Sequence, residues 1–123
     1  MSKPLAILYY SNLMPGGRLG NWLQDLGYRV QTLPDLPRLT EVCQREKPLV
    51  VVAEIIPGGL ACVAISQMRS NPDTRHIPVL AYSKAQDAAQ QAEATAAGVT
   101  LLAGNVAIVE HFPRLLEQVL QVE

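Results

Sequence analysis

The side chains of this chain that could do chemistry stand at the ends of short apolar runs. Ser11 and Asn12 follow the run Leu5 to Tyr10, and Ala53 and Glu54 close the run that begins at Leu49. Ser83 follows Val79 to Tyr82, and Asn105 comes shortly after Thr100 to Ala103. One carboxylate, two hydroxyls and two carboxamides are a set that could orient a small ligand or an anion through hydrogen bonds. The remaining chemically able residues are scattered. His76 lies in a connecting stretch beside Arg75, and His111 near the start of the last helix; they are far apart, with no Asp or Cys in register for a metal or a triad. Cys43 and Cys62 lack metal-ligand spacing and fall in helix-like apolar patterns, so they read as buried, reduced thiols. Pro15-Gly16-Gly17-Arg18-Leu19-Gly20 follows a strand and opens a helix, where backbone amides can hold an anion. Its spacing is neither G-x-G-x-x-G nor G-x-x-x-x-G-K-[ST], so it reads as a loop with close helix–sheet packing. The catalytic and metal sets are therefore empty, and the chain is not expected to be an enzyme.

The elements that must position these residues alternate in type. The chain has 123 residues, 49% of them hydrophobic and 17% charged, which excludes intrinsic disorder and suits one domain over 1–123. A net charge of -1 offers no electrostatic footprint for nucleic acid. No apolar run approaches the ~18 residues of a membrane helix, and no signal-peptide pattern opens the chain, so a cytoplasmic location is expected. Leu19, Trp22, Leu23 and Leu26 share one helical face, and Gly27 ends that helix. Arg29 to Leu33 is a strand; Leu36, Leu39, Val42 and Cys43 mark the inward face of a second helix. Leu49 to Ala53 is uniformly apolar and largely β-branched, the pattern of a central parallel strand covered on both faces. Ile55-Ile56-Pro57-Gly58-Gly59 turns into a helix from Leu60 to Arg69 carrying Cys62, Ile65 and Met68. A fourth helix runs from Asp87 to Gly98. A fifth, from about Val109 to Val122, turns Phe112, Leu115, Leu116 and Val119 inward. Tyr9 and Tyr10 are adjacent on a strand, so one is expected on each face, both buried. The order βαβαβαβαβα predicts an α/β, three-layer, flavodoxin-like (βα)5 fold, a five-stranded parallel sheet in the order 2-1-3-4-5. In that topology a site lies outside the carboxyl ends of the strands, where Ser11, Asn12, Ala53, Glu54, Ser83 and Asn105 fall.

The segment from Met68 through Asn71-Pro72-Asp73 to Ile77-Pro78-Val79 resembles the third-helix-to-fourth-strand connection of the receiver domains of bacterial two-component response regulators. Leu26-Gly27-Tyr28-Arg29-Val30, Lys47-Pro48-Leu49-Val50-Val51-Val52 and Ala96-Ala97-Gly98-Val99 look like three further stretches of that family, so the resemblance covers nearly the whole chain. The family's chemistry uses an acidic pair that binds Mg²⁺, an aspartate that accepts a phosphoryl group, a Ser or Thr that hydrogen-bonds it and a lysine that pairs with it. Here the acidic pair is Ser11 and Asn12, poor ligands for a hard cation, and the lysine position is Asn105. Only Ser83 keeps the family's residue type, and the strand-five aromatic aligns with Leu102. Counting forward from Pro48 puts Glu54 at the acceptor position; counting back from Pro57 puts Ala53 there; both alignments stay open.

The resemblance therefore implies a degenerate pseudo-receiver with no output domain, no cofactor and no Mg²⁺. It would act in trans by phosphorylation-independent contact with a kinase, regulator or output protein. The surface the family uses lies on the fourth helix, fifth strand and fifth helix, where Gln90, Gln91, Glu93, Glu110, Arg114 and Glu117 fall; a homodimer could use the same face. No nucleic-acid or membrane partner is expected. Two alternatives are carried: a small-ligand or anion sensor in the switch-point cleft, and a residual phosphoryl acceptor at Glu54 or Ser83. Glu54 itself has two readings. As a phosphoryl mimic it must point at Ser83 and find a donor there or at Lys84; otherwise it is a solvated strand-end glutamate. The solvated reading is preferred, because the matching lysine is Asn105.

Overall fold

A computed structural model describes residues 3–56, 58–84 and 87–121, without the side chains of Leu13 and Pro15. Pro57 and Val122, expected in a turn and at a helix end, lie outside the described residues. The strands are β1 (Leu5–Tyr9), β2 (Arg29–Thr32), β3 (Val50–Glu54), β4 (Val79–Ser83) and β5 (Leu101–Gly104). The helices are α1 (Leu13–Asp25), α2 (Leu39–Glu46), α3 (Ala61–Ser70), α4 (Ala88–Ala97), α5 (Asn105–Glu110) and α6 (Phe112–Gln121), with a 3-10 turn at Leu36–Arg38. All pairings are parallel and the strand order is β2-β1-β3-β4-β5, as the βα alternation predicts.

Every residue of β3 is buried. Alternate side chains feed two cores, because successive residues of a strand point to opposite faces. Val51, Ala53 and Ile55 pack with Leu39, Cys43, Ile65 and Met68 on one side of the sheet. Val50 and Val52 pack with Leu19, Leu23, Phe112 and Leu116 on the other. Each fully buried valine contributes about 1.5–3 kcal/mol against an exposed one, so a polar residue within this strand would need compensation. Tyr9 joins the first core and Tyr10 the second, one to each face as expected, but both are half-buried rather than buried.

Three helix details depart from the periodicity. Leu26 is 44% exposed rather than inward. α1 stops at Asp25, and the chain closes in a Schellman turn: Tyr28 N–H donates to Leu23 O and Gly27 N–H to Gln24 O, with Gly27 at φ 93°. Tyr28 thereby takes the core place that the helical period assigned to Leu26. The last helix is two, broken at His111 (φ -129°, ψ 25°). Pro113 is the cause: in an uninterrupted helix it has no N–H to give and its ring would meet the carbonyl of Val109. α1 also begins at Leu13, well before its apolar face, with a kink at Met14 (φ -112°, ψ 116°).

Candidate functional site

The register sets the ends of the central strands level. Tyr9 lies beside Ala53, Glu54 beside Tyr82, and Ser83 beside Gly104. The segments leaving β1, β3, β4 and β5 therefore meet at one end of the sheet, and Ser11, Asn12, Glu54, Ser83 and Asn105 all belong to that end. Ala53 does not face it: it is buried in the core shared with α2 and α3.

Glu54 is 3% exposed, so the solvated reading does not hold. Its Oε1 accepts the backbone N–H groups of Ser11 (2.9 Å) and Asn12 (3.0 Å), and its Oε2 accepts from Asn12 Nδ2 (2.6 Å). Both oxygens are thus engaged by N–H donors of the β1–α1 segment, bonds strengthened by the carboxylate's charge. Asn12 is the residue before the helix but does not cap it with its side chain; its carboxamide is committed to Glu54 instead.

Ser83, fully buried, donates its hydroxyl to Gln90 Oε1 at 2.6 Å. A hydroxyl has one proton, so this bond ties Ser83 to α4 rather than offering a donor to Glu54. Asp87 holds the same turn, its carboxylate accepting from Gln90 N–H at 2.8 Å. Lys84 is exposed and forms no ion pair among the described residues. The donors that the mimic reading required at Ser83 or Lys84 are thus replaced by Ser11 and Asn12.

Two buried polar atoms at this end have no hydrogen-bond partner among the described residues: Tyr82 Oη and Asn105 Oδ1. Tyr82 is fully buried, and burial first, then the nearby Glu54 charge and Tyr10 and Tyr9, push its phenol well above the ordinary range. Sequence reasoning missed Tyr82 and Gln90 as neighbours of the site; the available signal, for Gln90 alone, is its place one turn after Asp87, which caps α4.

On the surface expected for partner contact, Gln91, Glu110, Arg114 and Glu117 are exposed, but Gln90 is buried by its bond to Ser83. Glu93 is exposed and neighbours the Cys62 thiol of α3. Cys43 and Cys62 are buried free thiols; burial pushes Cys43 up to about 12, and burial with the neighbouring Glu93 pushes Cys62 up to about 11. His76 and His111 are exposed, and no group of three His, Cys, Asp or Glu among the described residues could hold a metal. Leu102 is half-buried against the α2–α3 core.

The architecture is that of receiver domains. The receiver domain of a sensor histidine kinase from Pseudomonas aeruginosa PAO1, solved with magnesium in its active-site cleft, superposes with a TM-score of 0.84 at 16% identity, covering 98% of this chain and 100% of that one. The chemotaxis protein CheY4 of Vibrio cholerae gives 0.82 at 18% identity, over 96% and 99% of the two chains. The BeF3-activated receiver domain of Klebsiella pneumoniae RstA gives 0.81 at 17% identity, over 96% and 99%. No family model and no curated protein matches the sequence. Among the described residues, no helix is long and apolar enough to cross a membrane.

Proposed function

We propose that the chain is a pseudo-receiver: a cytoplasmic, non-enzymatic signalling domain that keeps the receiver fold and works by protein–protein contact without phosphoryl transfer. The observation that supports this most is the Glu54 carboxylate, closed onto the backbone and side chain of the β1–α1 segment. With Glu54 at the acceptor position, its oxygens are engaged by N–H donors rather than presented to an incoming phosphoryl group.

The donor set does not fit Mg²⁺. A hard divalent cation needs anionic oxygens, and Ser11 and Asn12 offer neutral groups. Both oxygens of the site's single carboxylate are already engaged by N–H groups, which point their hydrogens toward where a metal would have to stand. Without charge neutralisation there is little to drive phosphoryl transfer, which disfavours Glu54 or Ser83 as a residual acceptor. A ligand or anion sensor in the same cleft is disfavoured for a related reason, since Glu54 itself occupies the anion cradle.

In this reading the exposed residues Gln91, Glu110, Arg114 and Glu117 form a polar contact surface for a kinase, regulator, output protein or second copy, of the kind that gives a regulated rather than permanent complex. Incubation with acetyl phosphate and Mg²⁺ followed by intact-mass spectrometry tests the proposal. No adduct is expected; a stoichiometric phosphoryl adduct overturns it.

A further inference from the structure

Because all five strands are parallel, the segments that enter them gather at the end of the sheet opposite Glu54. Lys3, Arg29, Arg45, Lys47, Arg69 and Arg75 lie there, six of the chain's 10 Lys and Arg. Of the acids at that end, Glu46 is paired with Arg45, Asp73 accepts from Gln44, and Asp25 lies at the end of α1. The chain as a whole is not basic, at -1, so this is a local concentration of positive charge.

On the β4–β5 side of this end stands Arg69, half-buried at the end of α3. The guanidinium donates to the carbonyls of Gly98 (2.8 Å), Arg75 and Ile77 (2.6 Å) and to the Thr100 hydroxyl (3.2 Å). All of these acceptors are neutral. No carboxylate among the described residues forms an ion pair with it, and burial alone pulls its pKa down. A partly desolvated charge fixed by neutral groups still gains from a counter-ion. Beside it runs an open groove of ≈ 720 Å³ whose lining includes Arg69, Arg75, His76, Pro78 and Val99, and no carboxylate. His76 also borders a second cavity, of ≈ 490 Å³, where Lys47 and the Asp73 carboxylate both line the wall.

We propose that this groove binds a small molecule carrying a phosphate or pyrophosphate group, taken by Arg75 and His76 over the fixed charge of Arg69. Two guanidinium charges, with the His76 ring beside them, favour a dianion over a single carboxylate, and the exposed guanidinium of Arg75 can match phosphate oxygens in pairs. The volume lies within the range of ligand pockets, and Pro78 and Val99 give an organic body an apolar wall. The site shares no residue with the Glu54 cleft and stands or falls independently of the pseudo-receiver reading.

Inorganic pyrophosphate titrated into the full chain, followed by backbone-amide NMR at low salt, is the test. The amides of 75–77 and 98–100 should shift, with a Kd on the order of 0.1–1 mM. Acetate at equal ionic strength should bind at least about tenfold more weakly. Arg75→Glu, whose side chain is exposed, should weaken pyrophosphate at least about tenfold with an unchanged melting temperature; should it fail to fold, His76→Asn carries the same expectation. The proposal is overturned by silence up to about 10 mM pyrophosphate, by equal affinity in the variant, or by shifts at 11–12 and 54 instead. It is also overturned if a deca-glutamate peptide binds the groove while pyrophosphate does not, which would make the end a docking surface for acidic protein.

Discussion

Glu54 is one carboxylate whose two oxygens meet three N–H groups, at 2.6 to 3.0 Å. Hydrogen bonds to a charged group contribute about 1.5–3 kcal/mol each, though not additively. Glu54→Gln keeps the shape but replaces one acceptor with an amino group facing donors. Urea denaturation should show a loss of about 1–3 kcal/mol, and a change under about 0.5 kcal/mol would mean the clasp is incidental. The buried thiol of Cys43 makes a second prediction at this scale. Its ordinary value is 9.0, and burial in the fold raises it to about 12. Between those values the unfolded chain has lost a proton that the native chain retains. Cys43's contribution to stability is therefore complete below pH 9 and lost as pH climbs toward 12. Unfolding free energies measured across that window should fall with pH, and Cys43→Ala should flatten the slope.

Among the elements, the α3–β4 and α4–β5 connections are held by one side chain. Arg69 reaches carbonyls on both, and Gly98 makes room for it: a Cβ there would stand 2.5 Å from Arg69 Cγ. Gly98 also sits at φ 98°, where an L residue is strained. Gly98→Ala should cost about 1–3 kcal/mol in thermal or urea unfolding, from strain and from displacing the arginine together. Much at this scale was legible beforehand. The β-branched run of β3, the Asp87 start and Gly98 end of α4 and the Gly27 stop act within a few residues, so local patterns reveal them. The break at His111 was missed because Phe112, Leu115, Leu116 and Val119 keep an unbroken apolar face, while the interruption comes from Pro113, a backbone effect that an apolar period does not register.

For the molecule as a whole, the absence of an acidic pair predicts indifference to Mg²⁺. A site with a Kd near 10 μM would add about 2.7 kcal/mol at a hundredfold excess of ion. Addition of 1 mM Mg²⁺ (roughly that excess) should leave the melting temperature unchanged, and a clear rise would restore a metal site to the cleft. What the chain determined by itself is its order of strands and helices, its parallel sheet and the identity of the polar residues at the strand ends. These follow from periodicity, β-branching and the handedness of crossovers, which are local or topological. Which way those polar residues turn was decided by the tertiary structure. Glu54 meets Ser11 and Asn12 across more than 40 positions of chain because β1 and β3 pair with Tyr9 level with Ala53. Gln90 is inside because α4 sets it over the Ser83 hydroxyl. The positive end exists because parallel strands bring their entering segments together. Each of these depends on long-range register, and no stretch of sequence taken singly carries it.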